Sequence, residues 1–406
     1  MKRSRRIVVA AGFTLILGAQ LVFTIALAVP SGVRIHSPQP GFLLDRGFVV
    51  SGDAWARDGL ASVRVEAVPD GRTDVGILSF PVARDAVKTQ GKVLFLLSSW
   101  SVKISLPSDG AWRLRAVAVD TGGREVATPA REISVRAGAP VREFRSWTTE
   151  HLVPVVLIFA VAVGLGLYAR AGRKTADAAA MASSGRRLPV LGVVLACAVW
   201  TNELCYQLYW FFVGGWSVAN ALMIQMCGLS ILFLPVRWFT ENQRTRQWLF
   251  DILYFWGIGG ALQALIAPDI GANGFPAYRY FSFFISHGLI IIMALTMAIA
   301  GGMRISIRSF LRTLVFTNIV LLPMYGVDRL IALIPPYDMG NYFVLGYPPP
   351  TGSIVDVFAD IFGPSPRYVI GLELMGLAVF LLLYAPWPLA RLAGARRHAE
   401  RRPEAR

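Results

Sequence analysis

The sequence predicts a mostly α-helical, multi-pass membrane protein that carries a β-sandwich domain outside the membrane. Three observations support this prediction. First, 55% of the 406 residues are hydrophobic and only 16% are charged, whereas soluble domains carry about 25% charged residues. Second, eight apolar stretches are each long enough to cross a hydrocarbon core of about 30 Å. Third, the segment between the first two stretches has short, turn-bounded runs that are typical of strands.

Residues 1–30 are predicted to form a membrane anchor. Basic residues at 2–6 precede an apolar run at 7–29. A cleaved signal peptide is the alternative, but the run is long and the small residues before Pro30 make an uncertain cleavage site. An uncleaved anchor is therefore favoured, and in either case the following segment is delivered outside.

Residues 31–137 are predicted to form an extracytoplasmic, immunoglobulin-like (Ig-like) β-sandwich. Runs such as Val63-Arg64-Val65 and Val102-Lys103-Ile104 alternate with period two, and turn-rich breaks such as 120–123 separate them. About seven short strands in about a hundred residues fit such a sandwich. This domain is a candidate binding module for an envelope or protein partner.

The rest of the chain is predicted to lie mainly in the membrane. A second span at 150–170 is followed by a basic linker at 171–188, a six-helix membrane domain at 189–390 and a basic cytoplasmic tail at 391–406. The predicted spans of the six-helix domain are 189–213, 217–236, 248–267, 280–301, 311–334 and 368–390.

The net charge of +15 indicates membrane topology rather than nucleic-acid binding. Arginines gather between the spans, for example at 170–187, 237–246 and 304–312, and no basic face is interleaved with aromatic residues. Basic residues of this kind are retained on the cytoplasmic side. Both termini are therefore expected in the cytoplasm, with the sandwich on the opposite side.

Four polar groups on four different predicted helices lie between the membrane midplane and its outer edge: Glu203, Cys227, Gln263 and His287. Polar residues inside a span are costly, so each is a functional candidate. A thiol becomes a nucleophile when a nearby base takes its proton, and histidine is the usual base. Glu203 or Gln263 could orient the imidazole or donate to an oxyanion.

On pattern alone, a structural role is nevertheless favoured for these groups. A cysteine in a helix is usually a small hydrophobe, which is the interpretation given to Cys197 and Cys205. A buried histidine more often bonds between helices than acts as a base. No His or Cys pair has metal-ligand spacing on one helix face, so neither a metal nor another cofactor is expected.

Three motifs favour a functional role over a structural one for some of these groups. They are MIQMCGLS at 223–230, YFWGIGGALQALIAPD at 254–269 followed by RYFSFFISHG at 279–288, and NYFVLGYP at 341–348 leading to GPSP at 363–366. The region that holds them, about half of the chain, resembles the bacterial YwaF-type membrane proteins, which are related to the eukaryotic transmembrane protein 164 family.

The resemblance implies a six-helix fold shared with small membrane lipid hydrolases. In the eukaryotic relatives it implies acyl transfer between phospholipids through a cysteine thioester, with a histidine as base. The matching positions here are Cys227 and His287, and a catalytic role becomes the favoured interpretation of both. Asn202, Gln225 and Asn341 are further predicted to support the site or to bind substrate. Many relatives carry a histidine two residues before the cysteine, where this chain has Gln225.

The favoured hypothesis is a membrane-embedded lipid acyltransferase or lipid hydrolase of the bacterial inner membrane, with membrane lipids as substrates. A small-solute transporter is an alternative, although the sequence has no inverted repeat and few charges for a conduit. A non-enzymatic envelope sensor or scaffold, with the sandwich as its binding module, is the other. The sequence does not determine the oligomeric state.

Overall fold

The protein is described here by a computed structural model. It covers residues 14–18, 20, 32–38, 43–70, 76–91, 96–139, 144–179, 187–212, 216–219, 221–240, 242–268, 270, 274–300, 303–333, 339–348 and 353–391.

The N-terminal part of the protein is made of strands. Within the described residues they are β1 (Gly32–Ser37), β2 (Leu43–Leu44), β3 (Gly47–Ala56), β4 (Leu60–Pro69), β5 (Leu78–Pro81), β6 (Val87–Gly91), β7 (Leu96–Ser105), β8 (Gly110–Asp120), β9 (Glu125–Ala127) and β10 (Arg131–Val135). One sheet has the order β1-β3-β7-β6, and the other has the order β2-β10-β8-β4-β5, with β9 paired to β8. Strand β2 runs parallel to β10, and the other pairs are antiparallel.

Alternation along the strands places the core of this region between the two sheets. On β8, Trp112 and Leu114 are buried while Arg113 and Arg115 between them are exposed. Trp100 of β7, in the other sheet, belongs to the same hydrophobic cluster. Successive side chains of a strand point to opposite faces, so this period of two is the physical basis of the strand prediction.

The C-terminal part is a helical bundle. Its helices are α1 (Thr149–Ala179), α2 (Arg187–Phe212), α3 (Met226–Phe239), α4 (Gln243–Ile266), α5 (Tyr278–Ile299), α6 (Ile307–Ile331), α7 (Ile354–Phe362) and α8 (Val369–Tyr384). All except α3 and α7 are long and apolar enough to cross a membrane, which gives six such helices in the described chain. The prediction of a multi-pass membrane protein is confirmed.

Two of the eight predicted spans are not among these six helices. The span predicted at 7–29 lies almost entirely outside the described residues, of which only 14–18 and 20 fall within it. The span predicted at 217–236 is not one helix, because α3 begins only at Met226 and has 14 residues. Such a helix is about 21 Å long, which is shorter than a hydrocarbon core of about 30 Å.

The region predicted as a linker at 171–188 is partly helical. Helix α1 continues to Ala179, and α2 begins at Arg187. The sequence between 175 and 182 is rich in alanine, which has the highest helix propensity of all residues. The helix therefore extends beyond its apolar span.

Helix α1 packs closely against α5. A Cβ atom at Gly288 would lie 2.8 Å from Ile158 Cγ1, and one at Gly166 would lie 2.8 Å from Ile299 Cδ1. His151 near the start of α1 donates from Nε2 to the carbonyl oxygen of Leu265 at 2.6 Å. These contacts make α1 an integral part of the bundle and fix the position of α5.

Candidate functional site

Cys227 is the second residue of α3, next to a break in the chain's helical structure. Residues 216–225, described apart from residue 220, form turns and extended backbone. The backbone N–H groups of Met226, Cys227 and Gly228 have no acceptor in the described part of the chain, and the N-cap residue Gln225 makes no side-chain cap. The first turn of α3 therefore offers free donors and the positive end of the helix dipole beside the thiol.

A buried tyrosine from a distant loop holds the segment before α3. The hydroxyl of Tyr342 donates to the carbonyl oxygen of Val218 at 2.6 Å and accepts from the backbone N–H of Leu222 at 2.9 Å. Tyr342 is fully buried. One side chain thus satisfies two backbone groups that would have been paired within a continuous helix.

Gln225 ties the start of α3 to the same loop. Its Nε2 donates to the carbonyl oxygen of Asn341 at 3.2 Å, and its Oε1 accepts from the backbone N–H of Phe343 at 2.8 Å. Phe343 and Val344 have φ angles of 56° and 57°, a left-handed conformation that is uncommon for such residues. Gln225 therefore positions a strained loop rather than the thiol.

Cys227 and His287 line the same cavity, which has a volume of about 240 Å³ and is partly open. Glu203 and Gln225 also line it. Both Cys227 and His287 are partly exposed, so they are accessible from the cavity. Three of the four polar groups singled out inside predicted spans are therefore brought together.

The hydrogen bonding of His287 determines which ring nitrogen can act as a base. Nδ1 lies 2.8 Å from the carbonyl oxygen of Phe283, which can only accept, so Nδ1 carries the proton of the neutral ring. The phenyl ring of Phe283 also lies against the imidazole, with ring centroids 4.3 Å apart. Nε2 is therefore left with its lone pair, as a proton acceptor requires.

Glu203 is buried and held by one neighbour. Gln207, one turn further along α2, donates from Nε2 to Glu203 Oε1 at 2.7 Å and to the carbonyl oxygen of Ala221 at 2.9 Å. The indole N–H of Trp216 donates to Gln207 Oε1 at 2.7 Å. This chain of bonds connects the carboxyl group to the irregular segment that precedes α3.

Gly260 of α4 leaves room for the thiol. A Cβ atom at this position would lie 3.2 Å from Cys227 Sγ, which is closer than ordinary van der Waals contact. The neighbouring stretch of α4, Leu253–Ile258, is π-helical. π-Helical turns widen a helix locally and are frequent at functional sites.

The remaining predicted site residues do not line the cavity. Gln263 is exposed and donates to the carbonyl oxygen of Gly259 in its own helix. Asn202 joins α2 to α5 by donating to Ser286 Oγ at 2.7 Å. Asn341 organises its loop, since its Oδ1 accepts from the backbone N–H groups of Gly346 and Tyr347. Asn202 and Asn341 therefore hold the elements around the cavity in place without lining it.

Sequence reasoning missed five polar residues that line the cavity: Tyr206, Gln207, Arg279, Ser282 and Ser286. Gln207 follows Glu203 by four residues and so lies on the same face of α2. Arg279 and Ser282 precede His287 by eight and five residues on α5. Helical spacing from the predicted acid could have found Gln207, whereas Arg279, Ser282 and Ser286 lie in the motif at 279–288, from which only His287 was singled out.

No group of three or more His, Cys, Asp or Glu side chains that could hold a metal ion occurs among the residues that the structure describes. The free cysteines Cys197 and Cys205 are exposed, unlike Cys227. They lie on α2, outside the cavity.

Six membrane-length helices, together with a cavity lined by a thiol, an imidazole and a carboxyl group, define an integral membrane protein with a polar site among its helices. The profile of the TMEM164 family matches residues 146–384, and the chain belongs to that family. The match begins before α1, which the sequence analysis placed ahead of the six-helix domain.

No curated protein matches the chain. Among solved structures, it is similar to that of Astrotactin-2, described as a conserved vertebrate-specific and perforin-like membrane protein involved in neuronal development. The identity is 15%, the TM-score is 0.19, and the similarity covers 44% of this chain and 31% of that one. The chain thus spans about a third of that protein, and a likeness at this level supports no conclusion about fold or function.

Proposed function

We propose that the protein is a membrane-embedded lipid acyltransferase or lipid hydrolase with Cys227 as nucleophile and His287 as base. The observation that carries the proposal is the shared cavity, which is lined by a cysteine at a helix N-terminus and by a histidine with Nε2 free to accept a proton. Membership of the TMEM164 family supports a membrane protein of this kind.

In the first half-reaction, His287 Nε2 takes the thiol proton as Cys227 Sγ attacks the carbonyl carbon of a lipid ester. The carbonyl oxygen becomes an oxyanion, and the free N–H groups of the first turn of α3 lie where they can donate to it. The intermediate then expels the lysolipid oxygen, which takes the proton from His287 Nε2. The products are a lysolipid and a Cys227 thioester.

The second half-reaction transfers the acyl group. The hydroxyl of an acceptor lipid, or of water, loses its proton to His287 Nε2 and attacks the thioester carbonyl. The thiolate of Cys227 leaves and recovers that proton from the imidazole. Whether the protein is a transferase or a hydrolase depends only on which hydroxyl reaches the thioester.

The size of the cavity suits the reacting part of a lipid. Pockets that enclose whole drug-sized ligands measure roughly 300–1,000 Å³, and this one has about 240 Å³. It accommodates a glycerol ester region, while the acyl chains remain among the apolar side chains exposed on the surface of the bundle. This division suits a substrate that enters laterally from the bilayer.

The experiment that tests the proposal is mass spectrometry of the protein purified from membranes, in search of a fatty-acyl adduct on Cys227. We expect an adduct that hydroxylamine removes and that is absent from Cys227→Ser and His287→Ala. Cys205→Ser is the matched control, because Cys205 is a free cysteine on an exposed surface and should not affect the adduct.

Two results would overturn this proposal. One is the absence of any adduct in every lipid mixture together with a Cys227 thiol that does not react with probes. The other is full biological function of the Cys227→Ala protein. Either would favour the envelope sensor or scaffold, or the small-solute transporter.

We further infer that the strand region is an Ig-like domain. Labelled A to G in the immunoglobulin manner, the order β1-β3-β7-β6 corresponds to A-B-E-D, and β10-β8-β4-β5 corresponds to G-F-C-C′. The short strand β2 runs parallel to β10, beside strand G. This arrangement supports a binding module for an envelope or protein partner.

We also infer that the protein is a YwaF-type protein of the bacterial inner membrane, with the strand region outside and both termini in the cytoplasm. Arg244 and Arg246 at the start of α4 and Arg308 and Arg312 at the start of α6 support this orientation. Basic residues that flank spans are retained on the cytoplasmic side. Under this assignment the end of the bundle where α2 ends and α5 begins is the outer end.

A further inference from the structure

One face of α5 lines the cavity from the start of the helix inward, and the end of the cavity at Arg279 is called its mouth. The lining residues of this helix are Arg279, Ser282, Phe283, Ser286, His287 and Ile290. Their spacing of three and four residues places them on a single helical face. Arg279 stands at the first turn of α5, and His287 lies eight residues further along, or about 12 Å at 1.5 Å per residue.

The cationic and the acid–base groups of the cavity lie at two different depths. The guanidinium of Arg279 lies over the ring of Trp210, at 5.4 Å from its centroid, near the end of α2. Glu203 precedes Trp210 by seven residues, about 11 Å along α2. Glu203 and His287 therefore share the deep level, while Arg279 is at the mouth.

Arg279 is the arginine that lines the cavity. Arg131 of β10 also interacts electrostatically with Tyr209 of α2, but it does not line the cavity, and its guanidinium donates to the carbonyl oxygens of Ile35 and Pro38. A cation at the mouth of a cavity favours an anionic ligand group there.

Two buried hydroxyls lie close to each other on the first two turns of α5, those of Tyr278 and Ser282. Ser282 lines the cavity at 2% exposure. Neither hydroxyl has a hydrogen bond to any other described residue. A ligand oxygen in the cavity would give the Ser282 hydroxyl a partner.

We propose that Arg279 binds the phosphate of a glycerophospholipid, which places the lipid's ester carbonyl beside Cys227. The inference rests on the proposed function and adds the group that recognises the substrate. A guanidinium held against an aromatic ring presents a fixed fork to two phosphate oxygens. In a glycerophospholipid only the glycerol unit separates phosphate from ester, so a phosphate at the mouth leaves the ester deeper in the cavity, toward the level of Glu203 and His287.

The test measures lipid binding by the purified full-length protein with Cys227→Ser, so that no lipid is consumed. Native mass spectrometry compares dioleoyl phosphatidylcholine with dioleoylglycerol, which has the same acyl chains, the same zero net charge and no phosphate. We expect phosphatidylcholine to bind more tightly, and Arg279→Gln to weaken its binding by roughly tenfold or more while dioleoylglycerol is unaffected.

Arg329→Gln is the matched control. Arg329 also lies over an aromatic ring, that of Tyr325 at 4.8 Å, but it does not line the cavity. Its substitution should leave both affinities unchanged. If Arg279→Gln does not fold, Arg279→Lys replaces it in the test, because lysine keeps the positive charge but cannot bind two phosphate oxygens as a guanidinium does. The preference for phosphatidylcholine over dioleoylglycerol should then fall.

Equal binding of the two lipids, or equal losses in Arg279→Gln and Arg329→Gln, would overturn the inference. Inorganic phosphate distinguishes the source of the anion, because Arg279-dependent binding of inorganic phosphate as tight as that of phosphatidylcholine would assign Arg279 to free phosphate and not to a lipid. If lipid binding depends on Arg279 but no thioester forms on Cys227, the proposed enzymatic function is refuted while the binding role of Arg279 stands. If both lipids acylate Cys227 equally, the phosphate-binding role of Arg279 is refuted while the proposed enzymatic function stands.

Discussion

The proton on His287 Nδ1 determines what the opposite ring nitrogen can do. Because the Phe283 carbonyl fixes that proton, Nε2 faces the site as an acceptor without help from a further residue. Both ends of the Gln225 amide are bound to the Asn341–Phe343 loop, so this side chain is not available to the thiol. Under the proposed function, activation of the thiol is therefore assigned to His287.

The close packing of Gly260 against Cys227 leads to a prediction for a single residue. Gly260→Ala would place a Cβ atom 3.2 Å from Sγ, so the thiol has to shift or rotate, as in an overpacked core. We expect several-fold slower alkylation of Cys227 by a membrane-permeable maleimide, measured on the modified peptide by mass spectrometry. Gly376→Ala in α8, where an added Cβ meets nothing within 4 Å, is the control. Unchanged alkylation in Gly260→Ala would contradict the packing described here.

At the scale of secondary structure, the shortness of α3 is the feature that creates the site. A helix that ran from 217 to 236 would pair its own backbone groups and bury Cys227 in mid-helix. The observed start at Met226 instead brings free N–H groups to the thiol. Non-helical backbone at membrane depth is tolerated where it is buried in protein or lines a cavity, and Ala221, Leu222, Met223 and Gln225 line the cavity.

The Tyr342 hydroxyl gives a prediction for this element. Tyr342→Phe removes the bonds to Val218 and Leu222 and leaves two backbone groups unpaired in a buried site. We expect the free energy of unfolding in detergent to fall by about 1–3 kcal/mol, with faster Cys227 alkylation as the segment loosens. Tyr325→Phe is the control, because the Tyr325 hydroxyl pairs with Arg329 at an exposed position. A stability loss no larger than that of the control would show that other contacts hold the segment.

At the scale of the whole molecule, the chain combines a strand region with a helical bundle that includes α1. The TMEM164 family match covers the bundle and begins after the last strand. His151 and the close contact of Gly288 with Ile158 join α1 to the rest of the bundle. The strand region is therefore attached directly to a helix that packs on α5, which carries His287.

The charge pattern gives a prediction for the whole molecule. An epitope inserted in the exposed turn at 121–123 should be reached by antibody on intact spheroplasts, because the strand region is assigned to the outside. An epitope after Arg406 should be reached only after permeabilisation. An epitope in the exposed position at Arg57-Asp58 provides a second site in the strand region. The opposite pattern of access would reverse the orientation, and with it the outer position of Arg279.

The sequence by itself determined the features that depend on local periodicity and composition. Alternation around Leu114 predicted a strand, and apolar length predicted the six membrane helices that the structure describes. Cys227 and His287 were predicted as site residues because polar groups are rare in spans and because the motifs around them resemble a known family, and the structure places both at one cavity. These signals need no knowledge of distant contacts, since burial on one face leaves its period in the chain.

Only the tertiary structure decided where α3 begins and which polar groups meet. Residues 216–225 have the composition of a span, but the Tyr342 hydroxyl, from 120 residues further along the chain, takes the N–H of Leu222. Gln263 faces away from the cavity, while Gln207 and Arg279 line it. The physical reason is that a backbone group bonds to whichever partner packing brings near, and local sequence does not contain that partner.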